Sequence, residues 1–140
     1  MTHRLLSLDK PTLDDREAIV APLRAYNREH AAPTEMLPLA ILLQDDQGQT
    51  VGGLWGRTLF DWLYVELLAV PEYLRGQDVG TSLMRKAEQI ARDRGCVGAW
   101  LDTFAFQARG FYERLGYRVF GEIADHPVGS ARYFLSKRFG

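Results

Sequence analysis

Apolar residues recur along this chain at two spacings, and the switches between them mark out its elements. Between residues 78 and 94, Val79, Leu83, Met84, Ala87, Ile90 and Ala91 fall on one stripe, with Arg85, Lys86, Glu88, Arg92 and Asp93 mostly opposite. That is the period of an amphipathic helix. Gly95 follows at the position where a left-handed residue ends a helix. Upstream, FDWLYVELLAV (60–70) alternates loosely and is apolar on both faces, as a strand inside a sheet would be. CVGAWLDT (96–103) reads as the next strand. A helix separates the two, so they are expected to lie parallel through a right-handed crossover.

The flanking segments complete the pattern. HRLLSL (3–8) reads as a first strand. Thr12 or Asp14 can cap a helix from Leu13 to about His30, with Leu13, Ile19, Leu23 and Tyr26 as its apolar positions and a bend or break at Pro22. AAPTE (31–35) is a loop. LPLAILLQ (37–44) and VGGLWGRTL (51–59) face each other across the turn residues DDQGQT, which predicts a hairpin. Residues 106–115 form a short helix stopped by Gly116, and 117–123 and 130–139 pair across DHPVG. The expected fold is α/β: a mixed central β-sheet, antiparallel in its N-terminal part and parallel at its centre, flanked by helices.

Composition narrows the setting. The 140 residues, 46% hydrophobic and 25% charged, suit one globular domain spanning 1–140 with a sizeable core. A net charge of −1 argues against a nucleic-acid partner, which calls for a strong basic excess. A single cysteine, Cys96, excludes an internal disulfide framework and fits a reducing cytoplasm. No run approaches the ~20 apolar residues of a membrane span, so no membrane partner is expected. His3, His30 and His126 are scattered without metal-ligand spacing, so no metal site is expected.

Two stretches carry candidate chemistry. Arg75, Gly76, Gln77, Asp78, Val79, Gly80 and Thr81 join a strand to a helix. Small residues let backbone approach a ligand, the first-turn N–H groups lack partners, and the helix dipole favours an anion. An ordinary strand-to-helix turn is an equal reading of this stretch by itself. G-x-G-x-x-G and G-K-[ST] are both absent, so it is neither a dinucleotide fingerprint nor a P-loop. The second stretch is FYERLGY (111–117). Its aromatic pair suits a core, but Tyr112 lies about 100° round the helix from Phe111, where a phenol can reach a cleft and donate a proton.

The order strand, RGQDVG turn, amphipathic helix, strand, FYERLGY resembles the GNAT superfamily of acyl-CoA-dependent N-acetyltransferases. That family's phosphate turn reads [QR]-x-x-G-x-[GA], matched here by Arg75 to Gly80. Its later segment reads N-x-x-A-x-x-F-Y-x-x-x-G-[FY], matched by Ala105 to Tyr112 and on to Gly116 and Tyr117. The resemblance covers residues 51–140 well and the earlier helix only in layout. Two residues depart from it. Asp78 stands in place of a glycine, where a carboxylate suits the helix dipole but repels a pyrophosphate. Ala105 stands in place of the asparagine that often contacts the pantetheine arm, and Gln107 is the candidate to replace that amide.

The resemblance implies acetyl-CoA as co-substrate, no metal, and an amine attacking the thioester directly without a covalent enzyme intermediate. Cys96 is then a buried apolar residue rather than a nucleophile. The backbone of Leu68 and Val70 would line the pantetheine, and the amides of Gln77 to Thr81 would face the pyrophosphate. Tyr112 would be the general acid and Glu66 the base, with Asp102 as second candidate base. Glu66 is a lone charge in the run YVELLAV, and a solvent-facing or arginine-paired carboxylate is an equal reading of it. The Leu68 N–H would meet the oxyanion. Tyr26, Glu35, Trp55, Trp62 and Tyr64 are candidates to line the acceptor pocket, where aromatics could hold an apolar or cationic substrate, though packing in the core is the favoured reading for the tryptophans. The expected acceptor is a primary amine of a small molecule. A non-catalytic acyl-CoA-binding or regulatory module and an enzyme acting on a protein amine stay open. A homodimer is compatible with the sequence.

Overall fold

Leu63 and Val65 point their side chains into the core, as alternation predicts, and are almost fully buried. Two residues later the parity has changed, and Leu68 and Val70 are the ones packed against that core. The cause is a β-bulge. In this computed structural model, which describes residues 2–140, strand β2 (Thr50–Leu59) pairs antiparallel with β3 (Trp62–Ala69). Trp55 meets Leu67 and Gly56 meets Val65, so Glu66 has no opposite number. Gly56 is obligatory there, because a Cβ on it would collide with the carbonyl oxygen of Tyr64.

The chain forms two compact units, residues 1–34 and 35–140. In the first, α1 (Leu13–His30) is capped by Thr12, whose hydroxyl accepts from the Asp15 N–H while the Asp15 carboxylate accepts from the Thr12 N–H. This is a capping box. The helix runs through Pro22 without a break, forgoing one hydrogen bond to the Ala18 carbonyl. Residues 3–8 were expected as a strand but enter no ladder. The adjacent Leu5 and Leu6 also lack the alternation that would give such a strand an apolar face.

The second unit is a six-stranded sheet in the order β1-β2-β3-β4-β6-β5, adding β1 (Leu37–Gln44), β4 (Gly98–Phe104), β5 (Arg118–Ala124) and β6 (Ala131–Arg138). The antiparallel N-terminal part is as expected. The parallel centre is one short pair, in which Trp62 to Val65 meet Gly98 to Leu101. On the far side β6 inserts antiparallel between β4 and β5. Phe60 and Asp61, expected within the strand, form a two-residue turn between β2 and β3 with φ of 48° and 68°.

Helix α2 (Val79–Asp93) lays Leu83, Met84, Ala87 and Ala91 on the sheet. At its end the Cys96 N–H donates to the Ala91 carbonyl and the Gly95 N–H to that of Arg92, both at 2.9 Å, with Gly95 at φ 85°. This Schellman closure holds Cys96 just before β4 rather than within it. Glu88, expected on the solvent face of α2, is instead buried at 2% exposure. Its carboxylate accepts from the Tyr117 hydroxyl at 2.6 Å and from Lys137 Nζ at 3.0 Å, so the charge is fully partnered. Helix α3 is shorter than expected, Arg109–Arg114, and ends in a second Schellman closure in which the Tyr117 N–H donates to the Tyr112 carbonyl at 3.1 Å.

Candidate active site

The sheet forks at the bulge. β3 and β4 pair only as far as Val65 and Leu101. Beyond that, β3 stays with β2 up to Ala69 and β4 stays with β6 up to Phe104. The edge of Glu66 to Ala69 that faces β4 is therefore left without a ladder. A cleft of about 810 Å³ opens there, within the range of small-molecule and cofactor sites.

One wall is the fork itself, with Glu66, Leu68 and Val70 facing Asp102 and Thr103. The floor is the turn into α2, with Arg75, Gly76, Asp78, Val79, Gly80 and Thr81. The third side is the loop into α3 and α3 itself, with Phe106, Gln107, Phe111, Tyr112 and Arg114. Every candidate catalytic and cofactor residue named from the sequence lines this cleft except Gln77, whose side-chain amide donates back to the Tyr73 carbonyl at 3.5 Å.

The turn earns its glycines unequally. Gly76 (φ 79°) and Asp78 (φ 60°) both adopt left-handed backbone. A glycine does so freely, and an aspartate is among the few other residues that do. Asp78 occupies the N-cap of α2, yet its side chain makes no capping hydrogen bond. The first-turn N–H groups are thus not closed by the side chain best placed to close them. Gly80 has ordinary backbone but no room: a Cβ there would lie 3.2 Å from Phe111 Cζ. That contact seats α3 against the start of α2.

Tyr112 stands between Phe111 and Tyr117, with ring centroids 5.1 and 6.2 Å away and both partners edge-on. Burial raises its phenol pKa, and the nearby Asp102 carboxylate raises it further. The phenol is therefore fully protonated at neutral pH. Asp102 has both oxygens engaged. Arg132 donates to Oδ1 through Nε at 3.0 Å and Nη2 at 2.6 Å, and the Tyr64 hydroxyl donates to Oδ2 at 2.9 Å. Tyr64 is pushed up to about 12 by burial and by that hydrogen bond. Glu66, raised on the bulge, is exposed and enters no ion pair among the described residues.

The Gln107 side-chain oxygen accepts from the Phe104 N–H at 2.9 Å and the Thr103 hydroxyl at 3.1 Å, which turns the chain into α3 and leaves the Nε2 donor for a ligand. Ala105 spends its N–H on the Ala131 carbonyl. Cys96 is buried, and burial with the nearby Asp61 pushes its thiol up, so it is a poor nucleophile at neutral pH. Of the acceptor-pocket candidates, Tyr64 reaches the cleft edge through Asp102. Trp62 faces a separate shallow groove with Trp100, Phe120 and Phe134. Trp55 is 47% exposed on β2, so it is not a core residue, and Glu35 is exposed. Tyr26 belongs to the first unit, where it stacks on His30 at 4.0 Å. Arg114 and Phe106 line the cleft without having been singled out from the sequence. Arg114 was visible only as a filler position of FYERLGY, and Phe106 only as the presumed start of a helix.

The profile of the acetyltransferase (GNAT) family matches residues 3–117. An acetyltransferase of Agrobacterium fabrum is 39% identical over 131 residues, 94% of this chain and 96% of the relative. The blasticidin-S acetyltransferase of Streptomyces morookaense is 38% identical over 125 residues, 89% of this chain and 90% of the relative. Among solved structures, one described as an acetyltransferase from Agrobacterium tumefaciens superposes with a TM-score of 0.91 at 37% identity, covering 98% of this chain and all of that one. A Bacillus anthracis acetyltransferase in complex with acetyl coenzyme A shares the fold, with a TM-score of 0.63 at 21% identity over 81% of this chain and 68% of that one. A forked sheet, a glycine-containing turn at a helix start and a half-buried tyrosine thus come together in one cleft, and this chain belongs to the GNAT family of N-acetyltransferases.

Proposed function

We propose that the protein moves the acetyl group of acetyl-CoA to the primary amine of a small molecule, by direct attack and without a covalent enzyme intermediate. The observation that carries this reading is the fork. It exposes strand edge between β3 and β4, and that edge leads from Tyr112 and Glu66 down to the turn at Gly76 to Thr81. The cleft suits the co-substrate in three ways. The edge of Glu66 to Ala69 that faces β4 has no ladder and offers hydrogen bonds to an amide-bearing arm. The uncapped N–H groups at the start of α2 suit a pyrophosphate. Arg75 and Arg114 supply positive charge. The small-molecule acceptor is supported by the relative named for blasticidin S.

When bound, acetyl-CoA supplies the acetyl group as a thioester. Tyr112 holds a proton at its Oη for the departing sulfur. Its raised pKa keeps that proton in place until negative charge develops on the thiolate. We assign stabilisation of the oxygen that gains charge to the Leu68 N–H. Glu66 takes the proton lost by the amine, directly or through water. Asp102 is the weaker base, because Arg132 and Tyr64 already occupy both of its oxygens. It acts instead by holding Tyr64 and by keeping Tyr112 protonated. The lone buried cysteine fits a cytoplasmic site of action.

The test is release of free thiol from acetyl-CoA across a panel of amines that includes blasticidin S, with Tyr112→Phe beside the native enzyme. The expected result is turnover with at least one amine and a kcat lower by about 100-fold or more in Tyr112→Phe, with acetyl-CoA affinity retained. Thermal stabilisation by acetyl-CoA without turnover on any amine would favour a binding module. An unchanged kcat in Tyr112→Phe would remove the phenol from the chemistry.

A further inference from the structure

We infer that the outer edge of β1 is the interface of a two-fold dimer, in which residues 39–43 of one copy pair antiparallel with the same stretch of a second copy. The two six-stranded sheets then join into one continuous sheet.

The sheet begins at β1 and ends at β5, so each of these strands pairs on one side only. An open edge is a template for another strand, and folded proteins guard it with charge, bulges or proline. β5 is guarded. Phe120 is an extra residue with no opposite number on β6, so the strand is bulged, and Arg118 and Glu122 are exposed along it. β1 is guarded only at its start. Pro38 has no N–H to give, and Arg94 donates to the carbonyls of Leu37 at 3.3 Å and Pro38 at 3.1 Å. LPLAILLQ holds no charged residue. From Leu39 to Leu43 its pairing with β2 is regular, and the register shifts only at Gln44. Leu42, within that open stretch, is 60% exposed.

A second copy fits this edge because the stretch is complementary to itself. A two-fold axis normal to the sheet keeps the α2 face of both copies on one side, so residues directly opposite must share a face. Leu39, Ile41 and Leu43 face the core side, and Ala40 and Leu42 face away from it. Centring the pair on Ile41 sets Leu39 opposite Leu43 and Ala40 opposite Leu42, each twice, with Ile41 against itself on the axis. The core-side row then runs on into the second copy and covers Ile41 and Leu43, which one chain leaves half-buried. On the other face each exposed Leu42 meets the small Ala40. Moving the centre to Ala40 would draw Pro38 into the ladder, and moving it to Leu42 would draw in the irregularity at Gln44. With no charge in the stretch, no like-charged pair opposes the contact.

The experiment is sedimentation equilibrium of the full chain, native and with Ala40→Lys, Leu42→Glu or both, with a melting curve for each. Both positions are exposed, so the fold should survive the substitutions. Native protein should show a reversible monomer–dimer equilibrium at ~100 µM, as expected of a contact built on a few cross-strand pairs. Ala40→Lys and Leu42→Glu should each weaken dimerisation by about 10-fold or more. An equimolar mixture of the two single variants, and the double variant alone, should regain it, because an ammonium then faces a carboxylate across the seam. The regained dimer should weaken as salt rises. A native monomer at every concentration would overturn the inference. So would a dimer that neither single variant weakens, which would place the contact on another surface, or a mixture that stays monomeric. Hydrogen exchange reads the same seam in the native chain without substitution. Amides within residues 39–43 should exchange more slowly as protein concentration rises, and exchange independent of concentration would refute the pairing.

Discussion

Asp78 is the residue whose replacement is most informative, because it combines two costs that can be separated. Its backbone sits at φ 60°, ψ 22°, the residue lines the cleft, and its side chain does not cap α2. Left-handed backbone costs an ordinary L-residue about 1–2 kcal/mol and aspartate or asparagine less. A carboxylate near a bound pyrophosphate adds repulsion of about 1 kcal/mol per unit charge at ~4 Å in water-like surroundings. Asp78→Asn keeps shape and left-handed tolerance and removes only the charge. It should tighten coenzyme A by about 5- to 10-fold, the equivalent of roughly 1 kcal/mol. The gain should shrink as salt rises from 0.05 to 0.5 M (on the order of a threefold shorter screening length). Asp78→Gly adds backbone freedom to the charge removal, so its affinity should match that of Asn while its stability changes little, since the relief of strain is offset by unfolded-state entropy. Titration calorimetry at two salt concentrations, with a melting curve for each variant, reads all of this. Identical dissociation constants for native protein and Asp78→Asn at low salt would show that the carboxylate points into solvent and that the electrostatic reasoning is wrong.

Two further outcomes follow from polar groups that are buried or half-buried. Tyr64 has its pKa raised to about 12 by burial and by its bond to Asp102, against about 10 when unfolded. The stability linked to that shift is fully present below pH ~10 and is lost as pH climbs from there towards 12, so the fall in stability over this window should be shallower in Tyr64→Phe; parallel curves from denaturant melts would count against it. Lys137→Met strips Glu88 of its cationic partner at 3% side-chain exposure and should cost about 3 kcal/mol in urea unfolding, with part recovered in Lys137→Met/Glu88→Gln; a loss below ~1 kcal/mol would mean that the hydrogen bond from Tyr117 suffices alone.

What could be read in advance follows from which forces act locally. The period of α2 and the glycines after α2 and α3 are local signals, and both helix ends fall where Gly95 and Gly116 put them. Turn chemistry was equally local between β1 and β2, where Asp45 accepts from Gln47 and Gln49. It was not legible between β2 and β3, because Phe60 and Asp61 are not the residues that usually adopt paired left-handed backbone. The burial of Glu88 was hidden for a different reason. Its partners are 29 and 49 residues away, and nothing near Glu88 in the chain announces them. The same holds for Asp102, which reads as a free carboxylate on a strand until Arg132 and Tyr64 are brought to it. The residues of the cleft could be named from motif order, but the reason it exists could not.

That reason is the single extra residue at Glu66. A strand running regularly from Leu63 would put 63, 65, 67 and 69 on the core side and keep its ladder to β4. The bulge instead moves the core set to Leu68 and Val70. It also kinks and twists β3 locally, as bulges do, at the very residue where pairing to β4 stops. The displaced residue is itself the exposed carboxylate. Pairing, parity and the placement of a candidate base therefore change together at one position. The lone charge in YVELLAV is then better explained as the mark of the bulge than as an exception within a central strand: a regular strand would have little use for it, and a forked one needs it outside the ladder.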